Sequence, residues 1–390
     1  MITKFIYITN TRLPSEKANS YQSMQMCYSF SKVFDEVELW TGRARNTEEF
    51  NDITNVFDYY NIKETFLIKR FYQFDSFILG HLNEFIWANL RGVVFSINTC
   101  LHLIKYKNLS GVILYTRVWH ILFVFIFFKK IGLVNNQIFY ESHKFSKLTL
   151  KILSRIDGLV VINQYLSEVY KEHDIKQVFA AHDGVNIEEY AEISKYKHTP
   201  NKEEYMILYT GSLFSWKGVN TLVDSIEYLP KNFKLVCVGG SGKYLSDFKT
   251  YVKKASYSDR INVIAHVPKI ELLKYIEDAD VLVLPNSAKD KMSLYTSPIK
   301  MFEYMASHRP IVASNISSIT EILSNKNSLL FEPDNAKDLA DKIQKAVSLD
   351  CSKIVRQAHK DVKSFTWEKR VQNIKDFIQS THNEQNICVE

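Results

Sequence analysis

The chain has 390 residues, 46% of them hydrophobic and 24% charged, a balance that supports packed cores and enough length for roughly two or three domains. Five cysteines stand at 27, 100, 237, 351 and 388 with no Cys-x-x-Cys spacing, which argues against a disulfide framework or a zinc site and fits a reducing cytoplasm. The net charge of +6 is local: positions 101–155 hold nine basic residues against the single acid Glu141, and no nucleic-acid-binding motif is interleaved with them, so a nucleic-acid partner is not expected.

The N-terminus, MITKFIYIT, has the pattern of a strand over 4–9 and turns polar at once, unlike a secretion signal. A polar loop over 10–19 leads into a helix over 18–33, then strands over 37–41 and 65–71. A long, mostly helical stretch over 76–107 is expected to break near Gly92. Short apolar runs at 112–115, 137–141 and 158–162 each precede a helical pattern, and such alternation predicts a parallel sheet covered on both faces. The run 118–128, VWHILFVFIFF, is too short to span a bilayer. Two readings of it stay open: a helix buried against the sheet, or a basic, apolar surface resting on an anionic membrane leaflet.

The pattern pauses at 181–186, and the polar, Lys-rich stretch after 190 reads as a linker over 191–204. A second alternation follows: MILYTG at 206–211, KLVCVGG at 234–240, INVIAH at 261–266, VLVLPN at 281–286 and PIVAS at 310–314. The expected fold class is therefore α/β, two doubly wound, Rossmann-like parallel-sheet domains, with domains at 1–190 and 205–366. A last amphipathic helix begins at Trp367 and runs to about 379, with 382–390 fraying.

In such sheets a site lies at the carboxyl ends of the strands, and the loops there hold the candidate residues. After the run at 206–211, Gly211 permits a tight turn. Lys217 opens the next helix, where a cation is unfavourable unless it meets an anion; the bland alternative is a solvated lysine. In SLYTSPIKMFEYMA at 293–306, Thr296, Ser297 and Pro298 are helix-start signals. Met301, Phe302, Met305 and Ala306 form an apolar stripe. The exposed N–H groups of Ile299 and Lys300 suit a phosphate. Glu303, within two turns of that start, can accept hydrogen bonds from two adjacent hydroxyls of a sugar ring, or can be an ordinary surface glutamate. The Gly-rich turn at 239–242 is neither a Walker A loop nor a complete Gly-x-Gly-x-x-Gly. Asp278 and Asp280 match a metal-binding Asp-x-Asp only formally, at a helix end, and no metal is expected. His143 follows the strand at 137–141. Arg12, Lys17 and Asn19 line the loop after the first strand, and Arg117 ends another.

The stretch at 293–314 resembles the donor-binding segment of glycosyltransferase family 4, retaining enzymes of the GT-B fold, in the branch seen in bacterial surface-polysaccharide synthesis. FEYMASHRPIVAS at 302–314 carries the likeness, with Glu303 on the second Glu of the family's Glu-x7-Glu pair and Tyr295 in place of the first. Lys217 matches the family's Gly-Arg-x4-Lys-Gly pattern, while Ser212 replaces its Arg. PSEKA at 14–18 and FTWEKR at 365–370 add to the resemblance. It implies two domains facing across a cleft, with the C-terminal helix, 367–381, packed back on the first. It implies a nucleotide-sugar donor, UDP- or GDP-linked, held by Gly211, Ser212, Lys217, Gly240, Tyr295, Thr296, Ser297, Pro298, Ile299, Lys300 and Glu303, without a further cofactor. Catalysis would rest on His143, Lys217 and Glu303. The acceptor, a glycan or lipid-linked glycan, would lie by Arg12, Lys17, Asn19 and Arg117. The location implied is cytoplasmic, with peripheral contact at the inner membrane face left open. A glycan-binding or scaffolding homologue with weak catalysis is the alternative, since two family positions are changed. A nicotinamide dehydrogenase lacks its glycine fingerprint here.

Overall fold

The structure is a computed structural model that describes residues 2–43, 50–73, 84–107, 109 and 111–387. It divides into two compact units: residues 1–162, 166–181 and 367–390 form the first, and residues 163–165 and 182–366 the second. Residues 182–190, expected with the N-terminal domain, thus group with the second unit. So does the stretch expected as a linker, whose Ile193 is buried in that unit's core.

The first unit holds a seven-stranded sheet. Its strands are β1 (Lys4–Ile8), β2 (Glu36–Gly42), β3 (Leu67–Phe71), β4 (Val112–Thr116), β5 (Gln137–Ser142), β6 (Gly158–Val161) and β7 (Val178–Ala180). All pairs are parallel, in the order β3-β2-β1-β4-β5-β6-β7. The second unit holds β8 (Tyr205–Thr210), β9 (Phe233–Val238), β10 (Ile261–Ile264), β11 (Val281–Leu284), β12 (Ile311–Ser314) and β13 (Leu329–Phe331), again all parallel, in the order β10-β9-β8-β11-β12-β13. The expected class, two doubly wound parallel sheets, is the observed one. In each sheet the strand order reverses at one point, beside β1 and β4 in the first and beside β8 and β11 in the second, and the crevice at such a reversal is where α/β sheets bind ligands.

Both faces of the second sheet are covered, so its strands read as unbroken apolar runs rather than alternating ones. Ile207 and Tyr209 of β8, with Val281 and Val283 of β11, point into one core with Leu222, Leu339 and Ile343. Leu208, Leu282 and Leu284 point into the other, against Phe302, Tyr304 and Met305. This is the period of two expected of a strand.

Three expectations are corrected. The helix Glu84–Leu103 runs unbroken through Gly92, and 76–83 lie outside the described residues. A Cβ at Gly92 would meet the His120 ring at 2.4 Å, so the glycine serves the close approach of helix Trp119–Lys130 and does not break the chain. Strands β7 and β13, three residues each, were not expected. The last helix runs from Trp367 to Ile387, past the expected end at 379; residues 388–390 lie outside the described ones. Its Lys375 Nζ donates to Val33 O at 2.9 Å, within the first unit. Among the described residues no helix is long and apolar enough to cross a membrane.

Candidate active site

The loop after β8 is built by close backbone packing. Gly211 has φ +112° and Gly218 has φ +72°, and a Cβ at Gly218 would fall 1.7 Å from Pro285 O at the end of β11. Only glycine fits there, and it brings the turn Ser215–Lys217 against the strand reversal. Ser212 contributes its carbonyl, which accepts from Tyr209 Oη at 2.6 Å. Gly240, at the end of β9, lies against Leu213 across the same corner.

Two lysines meet at this corner. Lys217 Nζ sits 3.9 Å from the centre of the Trp216 ring, and burial brings its pKa down to about 8. Lys300 Nζ donates to Thr210 O at 2.7 Å and lies 3.6 Å from the centre of the Tyr209 ring, beside Gly211. Burial pushes Lys300 well below the usual lysine range and the charge of Lys217 pushes it further, while Glu303 acts against both. Lys300 therefore lies within electrostatic reach of both Lys217 and Glu303. Neither lysine forms an ion pair with a carboxylate among the described residues. Two half-buried ammonium groups within electrostatic reach repel each other, and an anion bound to both removes that cost.

Lys300 stands in the first turn of helix Ile299–Ala306, whose N-cap is Pro298 and which no side chain caps. The expected hydroxyl cap is absent: Ser297 Oγ instead accepts from the Asp183 N–H at 3.0 Å. Thr296 is buried, its carbonyl near Asn163 Nδ2, and the Tyr295 ring packs on Tyr165 with centres 5.9 Å apart. The helix buries Glu303 and Tyr304 as well as the expected stripe, and Tyr304 Oη accepts from the Thr210 N–H at 2.9 Å, locking it to β8.

Glu303 is already engaged. Its Oε1 accepts from Lys269 Nζ, which also donates to Tyr190 Oη at 2.7 Å and lies 3.7 Å from Glu189 Oε2. Asp280 is likewise occupied, by Lys202 at 2.6 Å and by the Met206 N–H at 2.8 Å, and so ties down the start of β8.

In the first unit two of the four residues expected on the acceptor side, Asn19 and Arg117, meet His143 around a buried carboxylate, Glu141, in β5. His143 Nε2 donates to Glu141 Oε1 at 2.6 Å, Gln22 Nε2 to the same oxygen at 3.2 Å, and Arg117 Nε lies 3.7 Å from it. Arg370 Nη2 lies 3.0 Å from Oε2, and Tyr115 Oη donates to that oxygen. Burial pushes the Glu141 carboxyl up, but Arg370, His143 and Arg117 outweigh it and hold it well below the usual range. Arg117 also reaches His143 Nδ1 at 3.4 Å and Asn19 O at 3.5 Å, so Arg117, Asn19 and His143 are brought together. Arg12 is not in this group: it pairs with Glu16 at 2.7 Å. Lys17, just before the helix Ala18–Phe30, is exposed.

Sequence reasoning missed the partners rather than the places. Lys269, Glu189 and Arg370 carry no motif of their own. Lys300 was expected for its amide, whereas its ammonium is the feature of the corner. A lysine one turn before a motif glutamate, with the neighbouring family arginine replaced by Ser212, was the available signal.

Residues 191–361, in the second unit, match the family model described as glycosyl transferases group 1. The chain is 25% identical over 223 residues to an uncharacterised glycosyltransferase of Methanocaldococcus jannaschii, covering 56% of this chain and 58% of that protein. It is 24% identical over 131 residues to the amylovoran biosynthesis glycosyltransferase AmsK of Erwinia amylovora, 33% of this chain and 32% of that one. The matches thus span between a third and three-fifths of those relatives. The crystal structure of Anabaena HepE in complex with UDP and glucose shares the fold over 97% of this chain and 100% of that one, with TM-score 0.71 at 14% identity. The fold is that of the GT-B glycosyltransferases.

Proposed function

We propose that the protein is a retaining glycosyltransferase of family 4 that moves a sugar from a nucleoside-diphosphate donor to a glycan or lipid-linked glycan acceptor in surface-polysaccharide synthesis. The observation that carries this reading is the half-buried lysine pair, Lys217 and Lys300, at the strand reversal of the second sheet, with Lys300 beside Gly211 and in the first turn of an uncapped helix. A diphosphate there meets two ammonium groups and backbone N–H donors in a desolvated setting, where such contacts are strongest. As the sugar leaves, charge grows on the diphosphate, and the lysines stabilise that charge more than the ground state. Glu303 would hold two hydroxyls of a sugar ring, and no metal is required by this arrangement. His143, held by Glu141, would orient the acceptor, with Arg117 and Asn19 beside it. No carboxylate is assigned as a covalent nucleophile, and retention would follow from attack on the same face. The relative from Erwinia and the UDP complex of HepE support the pathway class and the donor class, respectively.

A peripheral site at the inner membrane face is part of the proposal. Ile86, Leu90, Val93, Ile97 and Leu101 are exposed at helical spacing along Glu84–Leu103, and Phe123 and Phe127 are exposed on the helix packed against it. Lys105, Lys107 and Lys130 are exposed beside them.

The changes at Ser212 and Tyr295 favour a second reading, a glycan-binding homologue with weak turnover. Mass spectrometry of a panel of UDP- and GDP-sugars incubated with the protein separates the two. Transfer or donor hydrolysis is expected, and falls about 100- to 1,000-fold in Lys217→Ala or Glu303→Ala with the fold retained. Full activity of either variant removes that residue from the machinery, and no turnover of any donor favours the second reading.

A further inference from the structure

Lys269 is shared by two carboxylates, and only one of them belongs to the donor site as proposed. Glu303, on helix Ile299–Ala306, holds the ammonium directly. Glu189, on the turn Ile187–Tyr190, has a side chain 4% exposed, and Lys269 approaches it only to 3.7 Å. Among the described residues neither Glu189 oxygen has a hydrogen bond of ordinary length, and Asn186 and Lys269 approach it only closely enough to oppose the rise in its pKa. A desolvated carboxylate without a close donor is costly. Such a group in a folded chain calls for a reason, and a second state of the molecule that satisfies it is one.

We propose that Lys269 is a positioning residue that changes partner when the donor binds: it grips Glu303 in the free protein and passes to Glu189 when Glu303 accepts two adjacent hydroxyls of the nucleotide sugar. This rests on the donor role proposed above for Glu303. No covalent bond changes; one ammonium moves between two carboxylates that flank it. In the free state Lys269 neutralises Glu303 and keeps it aimed. On binding, the ligand's hydroxyls replace the ammonium as donors. Glu189, 3.7 Å from Lys269 already, then gains the close partner it lacks. The exchange leaves no ion stranded, which makes the release of Glu303 affordable in a buried site. Burial raises the Glu189 pKa; Lys269 and Asn186 work against that rise and Glu303 with it, and the Tyr190 hydroxyl also faces Lys269. Protonating Glu189 would remove the receiver, as would replacing it by glutamine.

The test is calorimetric titration of the full chain with UDP, GDP and UDP-glucose, and with inorganic pyrophosphate as a probe of the lysine pair alone. Glu189→Gln, nearly isosteric, is expected to weaken binding of the preferred nucleotide about tenfold, the scale of a hydrogen bond to a charged group. Pyrophosphate binding should be unchanged. Loss against UDP or GDP themselves assigns the hydroxyls to the ribose; loss seen only against UDP-glucose assigns them to the transferred sugar. In a Lys269→Met background the same substitution should no longer weaken binding, because there is no ammonium to receive and one repulsion on Glu303 is removed. Lowering the pH should weaken nucleotide binding by the unsubstituted protein more than by Glu189→Gln. A Glu189 that only supports the fold would weaken binding equally in both backgrounds and would lower pyrophosphate affinity too, which overturns the exchange. Unchanged nucleotide affinity in Glu189→Gln overturns it as well while leaving the donor site standing. Failure of the unsubstituted chain to bind any of the nucleotides, while pyrophosphate binds, overturns the donor role of Glu303 and the exchange together.

Discussion

Glu141 is the most heavily partnered carboxylate in the first unit, and its worth can be read through pH. Its folded-state pKa is depressed, so it contributes stability above the unfolded value near 4.5 and loses that contribution as pH falls through the folded one. Urea unfolding below about pH 4.5 should therefore show a steep loss of stability in the unsubstituted protein. In Glu141→Gln the loss over the same range should be shallower, on a baseline lowered by about 3–5 kcal/mol at neutral pH, because Arg370 keeps its charge in a buried site without the carboxylate. Equal slopes for the two proteins would show that Glu141 is not the group that titrates. The residues around it were half legible. His143 at a strand end and Arg117 at another were expected from the sheet pattern alone. Their meeting at Glu141, and the arrival of Arg370 from the last helix, depend on contacts between distant positions that no local spacing encodes. The same holds for Lys269 and Glu303.

Among the elements, the helices Glu84–Leu103 and Trp119–Lys130 bear on the two readings that the sequence left open. One face of the second helix is core, with Ile121, Leu122, Phe125 and Phe128 buried, while Phe123 and Phe127 are exposed. Gly92 lets the two helices pack closely, so their exposed apolar residues add up. Apolar area with basic residues beside it is the chemistry by which amphipathic surfaces bind anionic bilayers, and the proposed membrane face is tested on vesicles. Vesicles of phosphatidylcholine with phosphatidylglycerol should sediment the protein, and neutral vesicles should do so less. Phe123→Ser with Phe127→Ser should release it without change in fold. Equal sedimentation of the double variant, or none of the parent, would retire the membrane face. Helix Ile299–Ala306 was legible for another reason: its apolar spacing and its following strand are local features. What the sequence misjudged was its cap, because Ser297 spends its hydroxyl on Asp183, far away in the chain.

For the whole molecule, the alternation of apolar runs and helical patterns predicted both parallel sheets, since strands buried on two faces read as continuous apolar stretches. Val178–Ala180 and Leu329–Phe331 escaped because three residues give no periodicity to recognise. The likeness to glycosyltransferases was legible at Glu303 and Lys217, while the second cation of the corner emerged only when Lys300 was seen beside Gly211. The central claim is that these two lysines hold a diphosphate. Isothermal titration of UDP and GDP into the protein, Lys217→Ala and Lys300→Met tests it most directly. Binding of at least one nucleotide, weakened about tenfold or more by each substitution, is the predicted result; a nucleotide affinity that neither substitution changes would contradict it.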